Sequence, residues 1–204
     1  MNRQIVLASS SRYRQILLSR LNIAFESCSP DIDESPNEEE NPESLVKRLS
    51  ESKALAVSAR YPNALIIGSD QVGELNGEIL NKAGSRDRAV QQLLRVSGQE
   101  VRFLTGLCLL DAASNESIVS IAQFAVGFRA LSHAEIEAYV DAEQPWDCAG
   151  SFRVEGPGIA LMTHMAGDDP NSLQGLPLIQ LCEMLRSKGI NPLYPSIATR
   201  EEPQ

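Results

Sequence analysis

Histidine is nearly missing from this chain: His133 and His164 are the only two among 204 residues. The four cysteines, Cys28, Cys108, Cys148 and Cys182, lie far apart with no C-x-x-C pair. A zinc site of the usual Cys/His kind therefore has little raw material. Three of the cysteines sit among apolar residues typical of element interiors, which reads as reduced core thiols, not a disulfide framework. Any metal is expected to be a hard ion held by carboxylates. Long apolar runs are lacking as well. Ala64-Leu65-Ile66-Ile67 falls far short of the ~20 residues that span a bilayer, and the N-terminus opens on a strand-like segment, not a charged-then-apolar leader. The expectation is a soluble, cytoplasmic protein with no membrane partner. Positive charge is in deficit, with 18 Lys and Arg against 27 Asp and Glu and a net charge of -9. That balance disfavours extended nucleic acid as a partner, but a few local cations can still reverse the field inside a cleft and hold a small phosphorylated ligand. No Gly-x-Gly-x-x-Gly or P-loop signature is found. Nucleotide binding would need another device.

What is there reads as one domain over residues 1–204, with 43% hydrophobic content ample for a core and residues 198–204 a frayed tail. Gln4 to Ala8 reads as a short buried strand, followed by Ser9-Ser10-Ser11 and a helix from about Arg12 to Leu21. Ile23 to Cys28 suits a second strand, and the Pro-, Asp- and Glu-rich stretch from Ser29 to Asn41 a loop. Asn41-Pro42 then caps a helix to about Ala59. Ala64 to Gly68 forms an apolar strand leading into Ser69-Asp70-Gln71, and Asn76-Gly77 marks a type I′ hairpin. A helix over Arg86 to Val96 precedes an antiparallel pair, Val101 to Leu110 and Ser117 to Ala130. The capping box Ser132-His133-Ala134-Glu135 starts a helix ending near Val140. The segment Asp141 to Gly158 is a long loop of the kind that often carries function, and a last helix runs from Leu178 to Ser187. Interleaved strands and helices with hairpins predict an α/β fold built on a mixed sheet.

Several residues invite chemistry. Ser9, Ser10 and Ser11 stand where a strand hands over to a helix, with Arg12 and Arg14 beside them. They read either as an ordinary N-cap or as an anion site on the helix N-terminus. Lys53 falls in the middle of an apolar helix arc formed by Leu45, Val46, Leu49, Ala56 and Val57, so its ammonium must either snorkel to solvent or face a cleft. Asp70 is expected just beyond the C-terminal end of an apolar strand, where open α/β sheets present ligand-binding groups. Asp31, Asp33 and Glu34 are either further oxygen ligands or a solvated acidic loop. Lys82 follows the hairpin, and Glu155 lies in a loop with Gly150, Gly156 and Gly158.

Leu7-Ala8-Ser9-Ser10-Ser11 with Arg14 resembles the opening motif of the Maf-like nucleotide pyrophosphatases. Asp33-Glu34, Lys53, Gly68-Ser69-Asp70-Gln71-Val72, Ser97-Gly98 with Thr105-Gly106, and Cys148-Ala149-Gly150-Ser151-Phe152 with Gly175-Leu176-Pro177-Leu178 match further motifs in order. The resemblance spans nearly the whole chain. It implies two lobes around a central cleft, frequent homodimers, a divalent cation such as Mg²⁺ or Mn²⁺, and cleavage of a nucleoside triphosphate to the monophosphate and pyrophosphate. It also implies roles: Asp70 as proton acceptor, Glu34, Lys53 and Lys82 at the phosphate and metal site, with Asp70 and Glu34 as metal ligands, and Ser9 and Arg14 in the phosphate-binding turn. Departures are Arg12 and Ala83 where the family usually has Pro, and Asp169-Pro170-Asn171 where other branches pair Tyr and Asn.

Tyr13, Gln71 and Glu155 are similar to the branch that acts on 7-methyl-GTP, although Tyr13 replaces its usual Trp. The chemistry agrees. N7 methylation leaves positive charge on guanine, which an aromatic face attracts by roughly 0.5–2 kcal/mol, and a carboxylate accepts from the guanine N–H edge. Tyr13 alternatively packs near Ile16 and Leu17 on its own helix. The competing expectations are the same reaction on dTTP, UTP or another noncanonical triphosphate, and a nucleotide-binding regulator of septum formation that does not hydrolyse.

Overall fold

The computed structural model describes residues 3–194, so the tail expected at 198–204 lies outside the described residues. In chain order the elements are β1 (Ile5–Leu7), α1 (Arg12–Ser19), β2 (Glu26–Ser27), α2 (Pro42–Ser58), β3 (Leu65–Leu75), β4 (Glu78–Leu80), α3 (Arg86–Val96), β5 (Glu100–Asp111), β6 (Glu116–Phe128), α4 (His133–Glu143), β7 (Met162–Gly167) and α5 (Leu178–Ser187). Single 3₁₀ turns lie at Ala149–Ser151, Pro157–Leu161 and Pro170–Gln174. The strands make one mixed sheet in the order β2-β1-β3-β5-β6-β7, with β4 also on β3. Pairing is parallel between β1 and its two neighbours and antiparallel elsewhere.

Local signals explain most boundaries. Asn41 Oδ1 accepts from the Ser44 N–H at 2.8 Å with Pro42 at the first helical position, and Ser132 and Glu135 form a reciprocal capping box. Asn76 and Gly77 both take positive φ, 53° and 87°, as a type I′ turn requires. Three expectations need correction. The apolar strand at Ala64 to Gly68 does not stop before Ser69: β3 continues to Leu75, because β5 supplies a ladder from Leu65 opposite Asp111 to Glu74 opposite Arg102. Asp70 is therefore in mid-strand. The second strand shrinks to Glu26–Ser27. β7 has no counterpart in the sequence reading, since this edge strand is largely exposed and shows no apolar alternation. Of the cysteines only Cys108 is fully buried, and burial pushes its thiol up to about 12; Cys28, Cys148 and Cys182 are half-buried, and all four are unpaired.

β3 organises the site. With β5 along one edge, β1 and β4 must share the other, β1 opposite Leu65–Ile67 and β4 opposite Gly73–Leu75. Gly68 to Val72 is left without a strand neighbour on that edge, which makes a notch in the sheet. Side chains alternate between faces: Ile66, Gly68, Asp70 and Val72 point to α2, whereas Leu65, Ile67, Ser69 and Gln71 point toward α1, α5 and the Pro170–Gln174 turn. Apolar clusters lie on either side of the notch. One side packs Leu17, Leu18, Ile67, Leu181 and Leu185, and Ala54, Val57 and Ile66 on the opposite face. The other packs Leu75, Leu80, Leu93, Phe103, Ile136, Tyr139 and Phe152. These are the two lobes, and the cleft opens between them.

α2 lies on the sheet with almost no side chain between. A Cβ at Gly68 would stand 2.1 Å from the Ser50 carbonyl oxygen, and one at Gly106 2.2 Å from that of Val46. Gly106 sits directly across from Asp70 on β5, so only hydrogen separates the helix backbone from the sheet at this point. The buried face of α2 runs through Leu45, Val46, Leu49, Ser50, Lys53, Ala54 and Val57; Ala54 takes the place expected for Ala56, which is exposed.

Candidate active site

A cleft of about 670 Å³ lies over the notch, and all nine residues expected at the site line it: Ser9, Tyr13, Arg14, Glu34, Lys53, Asp70, Gln71, Lys82 and Glu155. Its charged lining is five cations, Arg12, Arg14, Lys53, Lys82 and Arg153, against four carboxylates, Glu34, Asp70, Asp147 and Glu155. In a chain of net charge -9 this is a local inversion of sign, suited to a small anion.

Lys53 resolves its alternatives in favour of the cleft. Its side chain is buried, and the ammonium donates to Asp70 Oδ1 at 2.6 Å and reaches Glu34 Oε1 at 2.9 Å. One cation from α2 thus holds two carboxylates from different segments. Burial pushes the Glu34 carboxyl up, but Lys53, Lys82 and Arg14 outweigh it and leave the group below its ordinary value. Asp70 Oδ2 makes no hydrogen bond among the described residues, so one oxygen of a buried carboxylate stays available in the cleft. Asp31 and Asp33 do not join the site. Asp33 turns back to accept from the Ser35 N–H at 2.9 Å, the bond that draws its carboxyl down, and both side chains are exposed.

At the start of α1 the serines divide their work. Ser11 is the N-cap, accepting from the Arg14 N–H, while Ser9 is buried and faces Arg14 Nη1 at 3.5 Å. Arg14 Nε donates to the Gly175 carbonyl at 2.8 Å, which also accepts from Ser69 Oγ at 2.9 Å. Burial draws the Arg14 guanidinium below its ordinary value against the pull of Asp70 and Glu34. It stays charged.

The segment holding Gly175 has no role in the sequence reading beyond its Gly-Leu-Pro-Leu motif. Asp169 fixes it: Oδ1 accepts from the Asn171 N–H at 2.9 Å and Oδ2 from the Ile179 N–H at 2.6 Å, tying the 3₁₀ turn to α5. The carbonyls of Ser172 and Leu173 then accept from Gln71 Nε2 at 2.7 and 3.2 Å, and Thr105 Oγ1 stands 3.0 Å from it. Carbonyls only accept, so the amide nitrogen must point at them. Gln71 is thereby an anchor for this turn, and only its Oε1 remains to meet a ligand.

Tyr13, Arg153 and Glu155 stand at the other end. The Arg153 guanidinium lies over the Tyr13 ring at 5.8 Å from the centroid. The phenol pKa is raised, chiefly by burial, with Arg153 opposing and Asp147 and Glu155 adding to it. Lys82 and Glu155 are exposed and carry no ion pair among the described residues. Arg153 is the residue that sequence reasoning missed. A lone arginine in a loop carries no periodic signal.

Oxygen donors dominate the chemistry available for a metal. No group of three His, Cys, Asp or Glu side chains converges among the described residues, so the protein offers no complete cage. Two carboxylates beside a cationic cleft nonetheless fit Mg²⁺, which takes one or two carboxylates and fills its other positions from phosphate and water.

The Maf-like protein family model matches residues 4–188 of the chain. The chain is 55% identical over 185 residues to the 7-methyl-GTP pyrophosphatase of Nitrosococcus oceani, covering 91% of this chain and 93% of that one. It is 53% identical over 186 residues to the proteins of the same name from Pseudomonas aeruginosa, at 91% and 97% coverage, and Alcanivorax borkumensis, at 91% and 94%. Among the described residues no helix is long and apolar enough to cross a membrane. With the motif residues gathered in one cleft and a family match over nearly its full length, the chain belongs to the Maf family.

Proposed function

We propose that this chain hydrolyses the bond between the α- and β-phosphates of 7-methyl-GTP, giving 7-methyl-GMP and pyrophosphate. The observation that carries the chemistry is the buried Lys53 ammonium holding Asp70 and Glu34 at 2.6 and 2.9 Å beside a cationic cleft. The base assignment rests on Tyr13 and Glu155 in the same cleft and on relatives at 51–55% identity that bear this name.

Asp70, through its free Oδ2, accepts a proton from a water that attacks the α-phosphorus. The new P–O bond forms as the bond to the β-phosphate oxygen breaks, and pyrophosphate carries off the electron pair. Arg14, anchored on the Gly175 carbonyl, and Ser9 bind phosphate oxygens at the head of α1, while Lys82 reaches in from the end of the hairpin. Lys53 orients Asp70 through its 2.6 Å bond to Oδ1. Asp70 and Glu34 are the groups that would hold Mg²⁺ or Mn²⁺, which when bound offsets charge on the phosphate oxygens. The unpaired thiols suit a reducing compartment, in keeping with a cytoplasmic enzyme.

The test is pyrophosphate release from a panel of 7-methyl-GTP, GTP, dTTP and UTP, with and without Mg²⁺ or Mn²⁺. The expected result is metal-dependent release with the highest kcat/KM on 7-methyl-GTP. Equal or better turnover of dTTP or UTP overturns the base assignment, and release from none of them overturns the enzyme reading in favour of a nucleotide-binding regulator.

A further inference from the structure

The Arg153 side chain has several neighbours, of which the Cys148 thiol is a hydrogen-bond partner and the others stand farther off. Its guanidinium stands 5.8 Å from the Tyr13 centroid, near the outer limit of a cation–π contact. Nη1 is 3.6 Å from Glu143 Oε2 and Nη2 is 4.0 Å from Asp147 Oδ1, both too long for hydrogen bonds. Its Nε is the only buried side-chain polar atom among the described residues without a hydrogen-bond partner. A buried donor of this kind calls for a partner that a ligand group or a shifted acceptor can supply. The Glu143 carboxylate lies against Gly156, its Oε2 2.5 Å from where a Cβ there would stand. Two carboxylates therefore stand just beyond hydrogen-bonding reach of the guanidinium.

Tyr13 is also where a cationic purine would stack. Two cations cannot share one aromatic face, since each repels the other and the ring quadrupole attracts both. Resting on the 7-methyl-GTP reading above, we propose that Arg153 is a specificity-determining residue: it occupies the face of Tyr13 in the free protein and is displaced onto Glu143 and Asp147 when the methylated base binds. Displacement closes the two long ion pairs and lets a bound ligand or water reach Nε. The arginine thereby attenuates preference for the cationic base, because stacking on Tyr13 must first remove a competitor. A neutral guanine has less to gain from the ring and so is less affected.

The test compares kcat/KM on 7-methyl-GTP and on GTP for the full chain, Arg153→Gln and Arg153→Met. A general loss of attraction for triphosphate moves both substrates alike, so the ratio is the readout. The expected result is a ratio of 7-methyl-GTP over GTP raised by roughly three- to tenfold in both variants, the scale of a cation–π contact. A ratio that is unchanged or lower overturns the proposal, making Arg153 a bystander or a ligand of the base. An independent arm uses Glu143→Gln with Asp147→Asn. It should lower the ratio when Arg153 is present and leave it unmoved in the Arg153→Gln background, and equal effects in both backgrounds overturn displacement. If the unaltered chain shows no preference for 7-methyl-GTP, the base assignment itself fails. If it does and the variants leave the ratio in place, only the role of Arg153 fails.

Discussion

The two ends of the cleft are held in different ways. Around Asp70, the charged and polar groups are buried and bonded: Lys53 bridges two carboxylates, Arg14 is tied to Gly175, and Ser69 donates to the carbonyls of Gly106 and Gly175. Around Tyr13, Glu155 stands exposed without an ion pair among the described residues, and the ion pairs of Arg153 are long. The first end resembles a site whose electrostatics are arranged before substrate arrives, so that little reorganisation accompanies the reaction. The second is adjustable. On the proposed reading the contrast makes reaction and base choice separable, one built into the sheet and α2, the other left to side chains of α1 and the loop holding Glu155.

The strongest way to break this division is at the buried end. Asp70→Asn keeps shape and the neighbour of Lys53 but removes the proton acceptor, and kcat should fall by about 10²–10⁴ with KM changed far less, measured by pyrophosphate release. Near-normal turnover would remove Asp70 from its role. At the adjustable end, Tyr13→Arg with Glu155→Gln should reduce kcat/KM on 7-methyl-GTP by roughly tenfold or more, the sum of a lost stacking contact and a lost charge-assisted hydrogen bond. kcat on the best remaining triphosphate should be nearly unaltered. A matching collapse on every substrate would show that the two ends are not separable.

The smallest expected effect concerns pH. The Glu34 carboxyl sits below its ordinary 4.5 in the folded chain, so the unfolded state binds its proton first. Stability from this group is fully present above about 4.5 and is lost as pH falls through the lowered folded value. Half of the side chain is exposed, and solvent screens the effect. Thermal melts between pH 3 and 5 should show a slightly shallower acid limb for Glu34→Gln than for the unaltered chain, and coincident curves would remove Glu34 from the Lys53 cluster.

Legibility from sequence followed the range of the physics. Capped helices, the Asn76-Gly77 turn and the pairing of β5 with β6 depend on neighbours in the chain, and they were readable from it. Lys53 was readable because a cation in an apolar arc has only two outcomes. The continuation of β3 through Ser69-Asp70-Gln71 was not, since these polar residues resemble a loop until β5 is seen to satisfy their backbone. Asp169 and Arg153 were opaque for a related reason: each acts through residues distant in sequence, Asp169 through Ile179 and Arg153 through Tyr13. The nine site residues came together in one cleft, yet Gln71 proved to be chiefly an anchor of the Pro170–Gln174 turn.

The contact of α2 with Gly68 and Gly106 has a further meaning. Because main chain meets main chain there, the spacing between Lys53 and Asp70 is gauged by covalent geometry and not by how well side chains happen to fill a core. Substitutions elsewhere in either lobe can loosen packing without changing that gauge. A single methyl group at either glycine, though chemically the mildest of changes, would wedge the helix away and put the reacting groups out of register together.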